Sequence, residues 1–238
     1  GQYTRAEQFK LIFSSNLTAV VQRVSYPVLS SIQSEPVRLR EAYRRVIKLT
    51  MIVTFACMLG LAAIAKPLII LLIGEKWLPA VPFLQIICFS GMLYPLHAIN
   101  LNILQVKGRS DLYLKLEIIK KIIAVITIFI GIFWGIECML WGGVFVSFIS
   151  FFLNSYYSAD LIDYSTKNQI SDIFPFLIIS LIVSFCIWLI SFTEWSYIII
   201  LIIQIIVGIG LYWFISEKLP IQEYQEVRQL VFSLFKKK

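Results

Sequence analysis

The sequence predicts an all-α fold, a polytopic bundle of transmembrane helices, and three observations carry that prediction. Of its 238 residues, 59% are hydrophobic, and the mean hydropathy is +0.82, far above what a soluble domain of this size buries. The apolar residues gather into long runs separated by short polar hairpins. Lysine and arginine collect on alternate hairpins, as the positive-inside rule requires of a chain that crosses a bilayer repeatedly. The runs near 46–73, 81–104, 118–134, 139–160, 173–192 and 195–215 are each long enough to cross the hydrocarbon core. Lacking water to satisfy the backbone there, each is expected to be helical.

Orientation follows from the basic residues. Arg38, Arg40, Arg44, Arg45 and Lys48 precede one span, and Lys107, Arg109, Lys115, Lys120 and Lys121 follow another. Lys218, Arg228, Lys236, Lys237 and Lys238 close the chain. With these segments in the cytoplasm the alternation holds at every crossing, provided that a more polar span near 9–32 comes first. The segment 161–172 fits least well, because Lys167 is outnumbered by acids such as Asp163 and Asp172. The net charge of +7 then reflects topology and attraction to anionic headgroups, not nucleic acid.

The segment 9–32 differs from the rest. Ser15, Thr18, Gln22 and Ser25 share one helical face, and Asn16, Arg23 and Pro27 share a neighbouring one. Two readings stand: interhelical hydrogen bonding, or a wall of a hydrated cavity, which the charge of Arg23 favours. Ser34-Glu35-Pro36 reads as a helix start capped by Ser34. The residues after it form an amphipathic stretch expected on the cytoplasmic face before the chain turns into the span at 46–73. Lys66-Pro67 interrupts that span, with lysine reaching the interface. Gly74-Glu75-Lys76-Trp77-Leu78-Pro79 is a hairpin anchored by Trp77.

His97, the single histidine, lies just past Pro95, with Asn100 and Gln105 broadly on its side of the helix. It serves either a proton-coupling role or a neutral hydrogen bond to a neighbouring helix. The spans from 118 onward are more uniformly apolar and read as supporting helices. Glu137 is placed at a solvated hairpin tip. The tail 219–238 has the spacing of an interfacial amphipathic helix with a basic end. The four cysteines lack metal or redox spacing.

The chain carries no phosphate-cradling glycine loop, no zinc-protease or serine-hydrolase motif and no spaced carboxylate cluster. It is expected not to be an enzyme, and no cofactor or metal is implied. It opens on Gly1-Gln2-Tyr3 without a charged leader, and we read it as a fragment, the C-terminal part of a longer protein.

Several stretches resemble a known family. Tyr3-Thr4-Arg5-Ala6-Glu7-Gln8 and Val24-Ser25-Tyr26-Pro27-Val28-Leu29-Ser30 are similar to the stretch joining the seventh and eighth helices of bacterial polysaccharide exporters. Gly74-Glu75-Lys76-Trp77-Leu78-Pro79-Ala80-Val81-Pro82 and Gln105-Val106-Lys107-Gly108-Arg109-Ser110-Asp111 extend the likeness over nearly the whole chain. The resemblance is to the oligosaccharide-lipid flippases of lipopolysaccharide, O-antigen and teichuronic acid export, within the superfamily of the multidrug and polysaccharide exporters.

The resemblance implies a fold of about twelve to fourteen helices in two lobes around a central cavity, this chain being the second lobe. It implies export of a polyprenyl-pyrophosphate-linked oligosaccharide by alternating access, in the bacterial inner membrane, with the C-terminus cytoplasmic. The expected partners are that substrate, membrane lipids and an N-terminal lobe of the same protein. A diphosphate in a low-dielectric cavity needs a cation. Arg23 is the first candidate, Arg5 the second and Lys10 a third, with Asn16, Gln22, His97 and Asn100 as ligands for sugar hydroxyls. Lys107 and Arg109 are assigned to headgroups or topology. Rival readings are a small-molecule or drug cation antiporter of the same superfamily, and a membrane glycosyltransferase or polymerase. The antiporter would use an intramembrane acid, which the sequence does not visibly supply, and the enzyme would need a longer loop or a catalytic cluster.

Overall fold

The computed structural model describes residues 2–218 and 223–225 (apart from the side chains of residues 12 and 13), and these are mostly helical. The elements are α1 (Gln2–Ser31), α2 (Pro36–Ala63), α3 (Ala65–Ile73), a 3-10 turn (Glu75–Ala80), α4 (Val81–Gly91), α5 (Tyr94–Val106), α6 (Ser110–Trp134), α7 (Ile136–Ile162), α8 (Thr166–Leu189), a second 3-10 turn (Ile190–Phe192) and α9 (Tyr197–Lys218). No strand occurs among the described residues. Among the described residues five stretches are long and apolar enough to cross a membrane: Pro36–Ala63, Glu75–Val106, Ile136–Ile162, Thr166–Phe192 and Tyr197–Lys218. The 30 residues of α1 and the 25 of α6 have the length, but polar side chains thread α1, and Glu117, Lys120 and Lys121 interrupt α6. Most of the proposed tail helix at 219–238 lies outside the described residues.

Helix breaks follow local chemistry. Pro67 and Pro95 have no N–H for the carbonyl four residues earlier, and the helix yields at Ile64 and at Met92–Leu93. Gln85 of α4 donates to the Ala62 carbonyl at 3.2 Å beside the first break. A single glycine, Gly135 at φ 92°, joins α6 to α7; this left-handed conformation suits a residue without Cβ. Asp163, also left-handed at φ 52°, ends α7, and Ser165 caps α8 by accepting from the Asn168 N–H at 3.2 Å.

The lobe is built around α2, which packs along α8 and against α1, α4 and α5. Tyr43, Ile47, Met51, Phe55 and Met58 of α2 meet Leu84, Leu96 and Ile99 of α4 and α5, all nearly or fully buried. Lipid tails are as apolar as these side chains, so close van der Waals packing does the holding. Gly91 allows the closest approach: a Cβ there would stand 2.5 Å from Met58 Cε and 3.2 Å from Lys10 Cγ. Helices α6 and α9 bury few of their own side chains, Leu116 of α6 and Ile200 and Gln204 of α9, as expected of supporting helices.

Three expectations need correction. Glu35, not Ser34, is the N-cap residue of α2, with no side-chain cap; its carboxylate pairs with Arg38 at 3.4 Å. The amphipathic stretch after Pro36 does not turn before the span, because Leu39, Tyr43 and Ile47 continue the buried face of one unbroken helix. Nor is 161–172 mainly a loop, since α8 begins at Thr166. Its acids are the counter-ions of the arginines on α2. Arg40 Nη1 meets Asp163 Oδ2 at 2.6 Å, and Arg44 grips Asp172 through Nε and Nη2 at 2.5 and 2.6 Å. Tyr164 also donates to Asp172 at 2.6 Å, and Lys48 joins Glu223 at 2.8 Å. The segment that fitted the charge rule least well is therefore the acidic half of an ion-pair cluster.

Candidate functional site along α1 and α5

Helices α1 and α6 both pack on α5 without comparable contact with each other. Between them α5 turns a stripe outward: Tyr94 and Gln105 exposed, His97 and Leu101 half-buried. The stripe is open at the surface, and α1 packs along α5. Helix α1 runs parallel to α4 and α5, since Arg5 lies over the Trp77 ring at 5.4 Å near its start and Lys107 Nζ donates to the Gln33 carbonyl at 2.9 Å near its end. Lys10 packs at Gly91, so Asn16 stands level with His97, each six residues further on.

The polar residues of α1 divide as two faces. Ser14, Thr18 and Ser25 are buried, and Thr18 Oγ1 donates to the Ser14 carbonyl at 2.7 Å. Arg5, Asn16 and Arg23 are exposed and lie on one line of the helix, within about 20° of one another at 100° per residue. Gln22 is exposed although it lies only about 40° from buried Thr18 and about 100° round the helix from Arg23. Arg23 forms no ion pair among the described residues. Arg5 donates from Nη1 to Gln8 Oε1 at 3.1 Å as well as covering Trp77.

His97 sits at the break between α4 and α5. Ser147 Oγ of α7 donates to the Ser90 carbonyl at 3.2 Å, and His97 Nε2 lies 3.0 Å from the same Oγ. With the serine proton committed to Ser90, Nε2–H is the donor to Ser147. His97 is then a neutral clamp across the proline break, in line with the interhelical reading. Its Nδ1 is a buried acceptor without a partner among the described residues.

Asn100 is not on the outward stripe. It is 0% exposed and joins four helices. Tyr43 OH and Ser158 Oγ donate to its Oδ1 at 2.8 and 2.6 Å, while its Nδ2 donates to the Leu96 carbonyl and to Gln169 Oε1 at 3.0 and 3.3 Å. An amide with every bonding position occupied inside the lobe has nothing left for a sugar hydroxyl, so Asn100 is a structural hub. Arg109 pairs with Asp111 at 2.8 Å on the surface, holding that carboxyl down at about 2.

Helix α6 carries Lys120, which counts only for orientation in the sequence. Lys120 of α6 binds Glu117 one turn earlier, with side chains 14% and 33% exposed. Lys120 lies close enough to His97 to act on it electrostatically. The available signal was a lysine inside an apolar run, costly in a membrane unless partnered or functional. Among the described residues no group of acids, histidines or cysteines is arranged to hold a metal.

A helical lobe with five helices long and apolar enough to cross a bilayer is the architecture of a polytopic membrane protein. Its fold matches the lipid II flippase MurJ in an inward closed conformation, with a TM-score of 0.73 and 19% identity over 90% of this chain and 46% of that one. The family of polysaccharide biosynthesis proteins matches at residues 1–82. The teichuronic acid biosynthesis protein TuaB of Bacillus subtilis is 27% identical over 180 residues, 75% of this chain and 37% of that protein. The lipopolysaccharide biosynthesis protein WzxC of Escherichia coli is 28% identical over 131 residues, 55% and 27% of the two chains. A membrane protein of the cps region of Klebsiella pneumoniae is 31% identical over 121 residues, 51% of this chain and 25% of that one. The chain is thus similar in sequence to polysaccharide biosynthesis proteins and in fold to a lipid II flippase. The aligned parts span between a quarter and two fifths of these curated relatives.

Proposed function

We propose that this chain is the C-terminal lobe of an exporter that flips polyprenyl-pyrophosphate-linked oligosaccharide across the bacterial inner membrane, for cell-surface polysaccharide synthesis. The observation that carries the reading is the line of Arg5, Asn16 and Arg23 on the exposed face of α1. A guanidinium without an ion-pair partner on a membrane-spanning helix is costly against lipid. It is well matched to a diphosphate, whose oxygens take its forked donors. Asn16, Gln22 and His97 supply polar contacts for the sugar head, while the polyprenyl tail stays among the apolar helices. A second lobe, the N-terminal half of the same protein, faces α1 and α5, and alternating access comes from rocking of the two. The basic ends of α2 and α5 and the chain's C-terminus are cytoplasmic in this reading.

The names of the relatives agree with this substrate class: one belongs to teichuronic acid and another to lipopolysaccharide synthesis, and the structural relative flips lipid II. A drug-cation antiporter has one observation in its favour, the carboxylate of Glu117 on α6. Its pairing with Lys120 neutralises it as a cation site, so the flippase reading is preferred.

The test is export of surface polysaccharide by cells carrying variants of the full-length protein. Arg23→Ala is expected to lower export at least tenfold at normal membrane abundance, as loss of a charge-assisted contact predicts. Arg109→Ala is expected to leave it unchanged. The opposite ranking overturns the reading.

A further inference from the structure

Helix α9 packs on α8 and on α3 but stands off α2. Tyr212 reaches across the gap, its hydroxyl donating to the Ile52 carbonyl at 3.1 Å. Small side chains keep the rest of the gap open. A Cβ on Gly60 of α2 would meet nothing within 4 Å, and one on Gly208 of α9 would come no closer than 3.5 Å, to Ile187. The result is an apolar cavity of about 850 Å³ between α2, α8 and α9, a size that suits a small amphipathic ligand. Each of these three helices is long and apolar enough to cross a membrane. Along α9 the cavity runs from Gln204 to Glu217, about 20 Å of helix. That is somewhat more than one leaflet of a hydrocarbon core about 30 Å thick. A second helix, about 10–12 Å across, would need roughly 1,600–2,300 Å³ over the same length, so the space suits a hydrocarbon chain and not a protein helix.

The two ends of the cavity differ. At one end Gln204 donates both amide protons inside the lobe, to the Ile187 carbonyl at 2.9 Å and to Ser191 Oγ at 2.7 Å. With Ile187 and Ile205 beside it, that end offers a ligand apolar contact and no donor. At the other end stand the rings of Tyr212, Trp213 and Tyr224 and the carboxylate of Glu217. Among the described residues lining the cavity, Glu217 is the only charged one. The lysines of this region do not line it: Lys218 lies over the Phe214 ring at 4.5 Å, and Lys48 pairs with Glu223 at 2.8 Å. Aromatic rings with a carboxylate form the surroundings that favour an ammonium.

We propose that this cavity is a binding site for one phospholipid with an ammonium headgroup, a phosphatidylethanolamine. An acyl chain lies between α2, α8 and α9, and the ammonium sits at Glu217 among the three rings. The site shares no residue with the line of Arg5, Asn16 and Arg23. It therefore goes beyond the flippase reading and stands or falls independently of it.

The experiment places the full-length protein in nanodiscs of palmitoyl-oleoyl phosphatidylethanolamine and phosphatidylglycerol in equal parts, with a trace of undecaprenol. Native mass spectrometry then counts the lipids that stay bound on transfer to mild detergent. Phosphatidylethanolamine is expected to be retained several-fold over phosphatidylglycerol. Gly60→Leu fills the open space and is expected to abolish that retention, whereas Gly60→Ala leaves most of the space and is expected to keep it. Glu217→Gln is expected to keep a bound lipid but to lose the preference for phosphatidylethanolamine, a readout that a folding defect would not produce. Equal or greater retention of phosphatidylglycerol by the unaltered protein overturns the proposal. So does a preference that survives Gly60→Leu or Glu217→Gln. Retention of undecaprenol that Gly60→Leu abolishes would give the cavity to a polyprenyl tail instead. Arg23→Ala, which tests the flippase reading through export, is expected to leave lipid retention unchanged.

Discussion

Arg44 on α2 and Asp172 on α8 form a two-pronged ion pair, with Nε and Nη2 donating to the two carboxylate oxygens at 2.5 and 2.6 Å. Asp172 also accepts from Tyr164 at 2.6 Å, and its side chain is only 11% exposed. The pair therefore locks α2 and α8, the most extensively packed pair of helices, at one end. Asp172→Asn keeps the shape and removes the charge, and should cost about 1–3 kcal/mol of stability. Arg44→Met should cost less, since half of the guanidinium side chain is exposed. Thermal unfolding of the two variants in detergent checks the order; a larger loss for Arg44→Met would contradict it.

Asn100 distinguishes structure from binding. Asn100→Leu strands Tyr43, Ser158 and Gln169, each of which meets its amide in the buried layer. The expected loss is about 2–4 kcal/mol, from several buried groups left unpaired. Diphosphate binding by the fraction that folds should be normal. A binding defect at unchanged stability would return Asn100 to the substrate site.

Packing at Gly91 leaves no room for a methyl group. In Gly91→Ala the new Cβ meets the flexible end of Met58 at 2.5 Å and the stem of Lys10 at 3.2 Å. Overpacking of this kind costs about 1–3 kcal/mol. Met58→Ala in the same chain should restore part of that loss, a non-additivity that a double-mutant cycle of unfolding energies measures.

Ser147 bridges the helix break. Its removal in Ser147→Ala leaves the Ser90 carbonyl and His97 Nε2 without the hydroxyl that joins them. Amide hydrogen exchange around 90–97 should accelerate in that variant more than in Ser155→Ala, whose hydroxyl lies away from the break. Equal exchange in the two would show that the clamp does not hold the break.

Much of this was legible in the chain, for identifiable reasons. Hydropathy and the alternation of basic hairpins marked the helices, because a bilayer accepts hardly any other backbone. The two polar faces of α1 could be drawn from helical spacing alone. Spacing does not say which face is covered, and the answer came from α4 and α5 packing over Ser14, Thr18 and Ser25. His97 and Asn100 looked alike as polar residues past a proline. Three residues of helix, however, turn Asn100 toward α2, α7 and α8 while His97 stays at the edge of the stripe.

Two other results depended wholly on distant contacts. The acids at 163 and 172 weakened the charge pattern until Arg40 and Arg44, more than a hundred residues earlier, proved to be their partners. Lys120 was one basic residue among several until α5 brought it near His97. The sequence by itself determined the helices, their apolar character and the polar first wall, because these depend on periodicity and on the solvent that each segment must meet. Only the tertiary structure decided which polar groups satisfy each other and which remain turned outward, because that depends on which helices become neighbours.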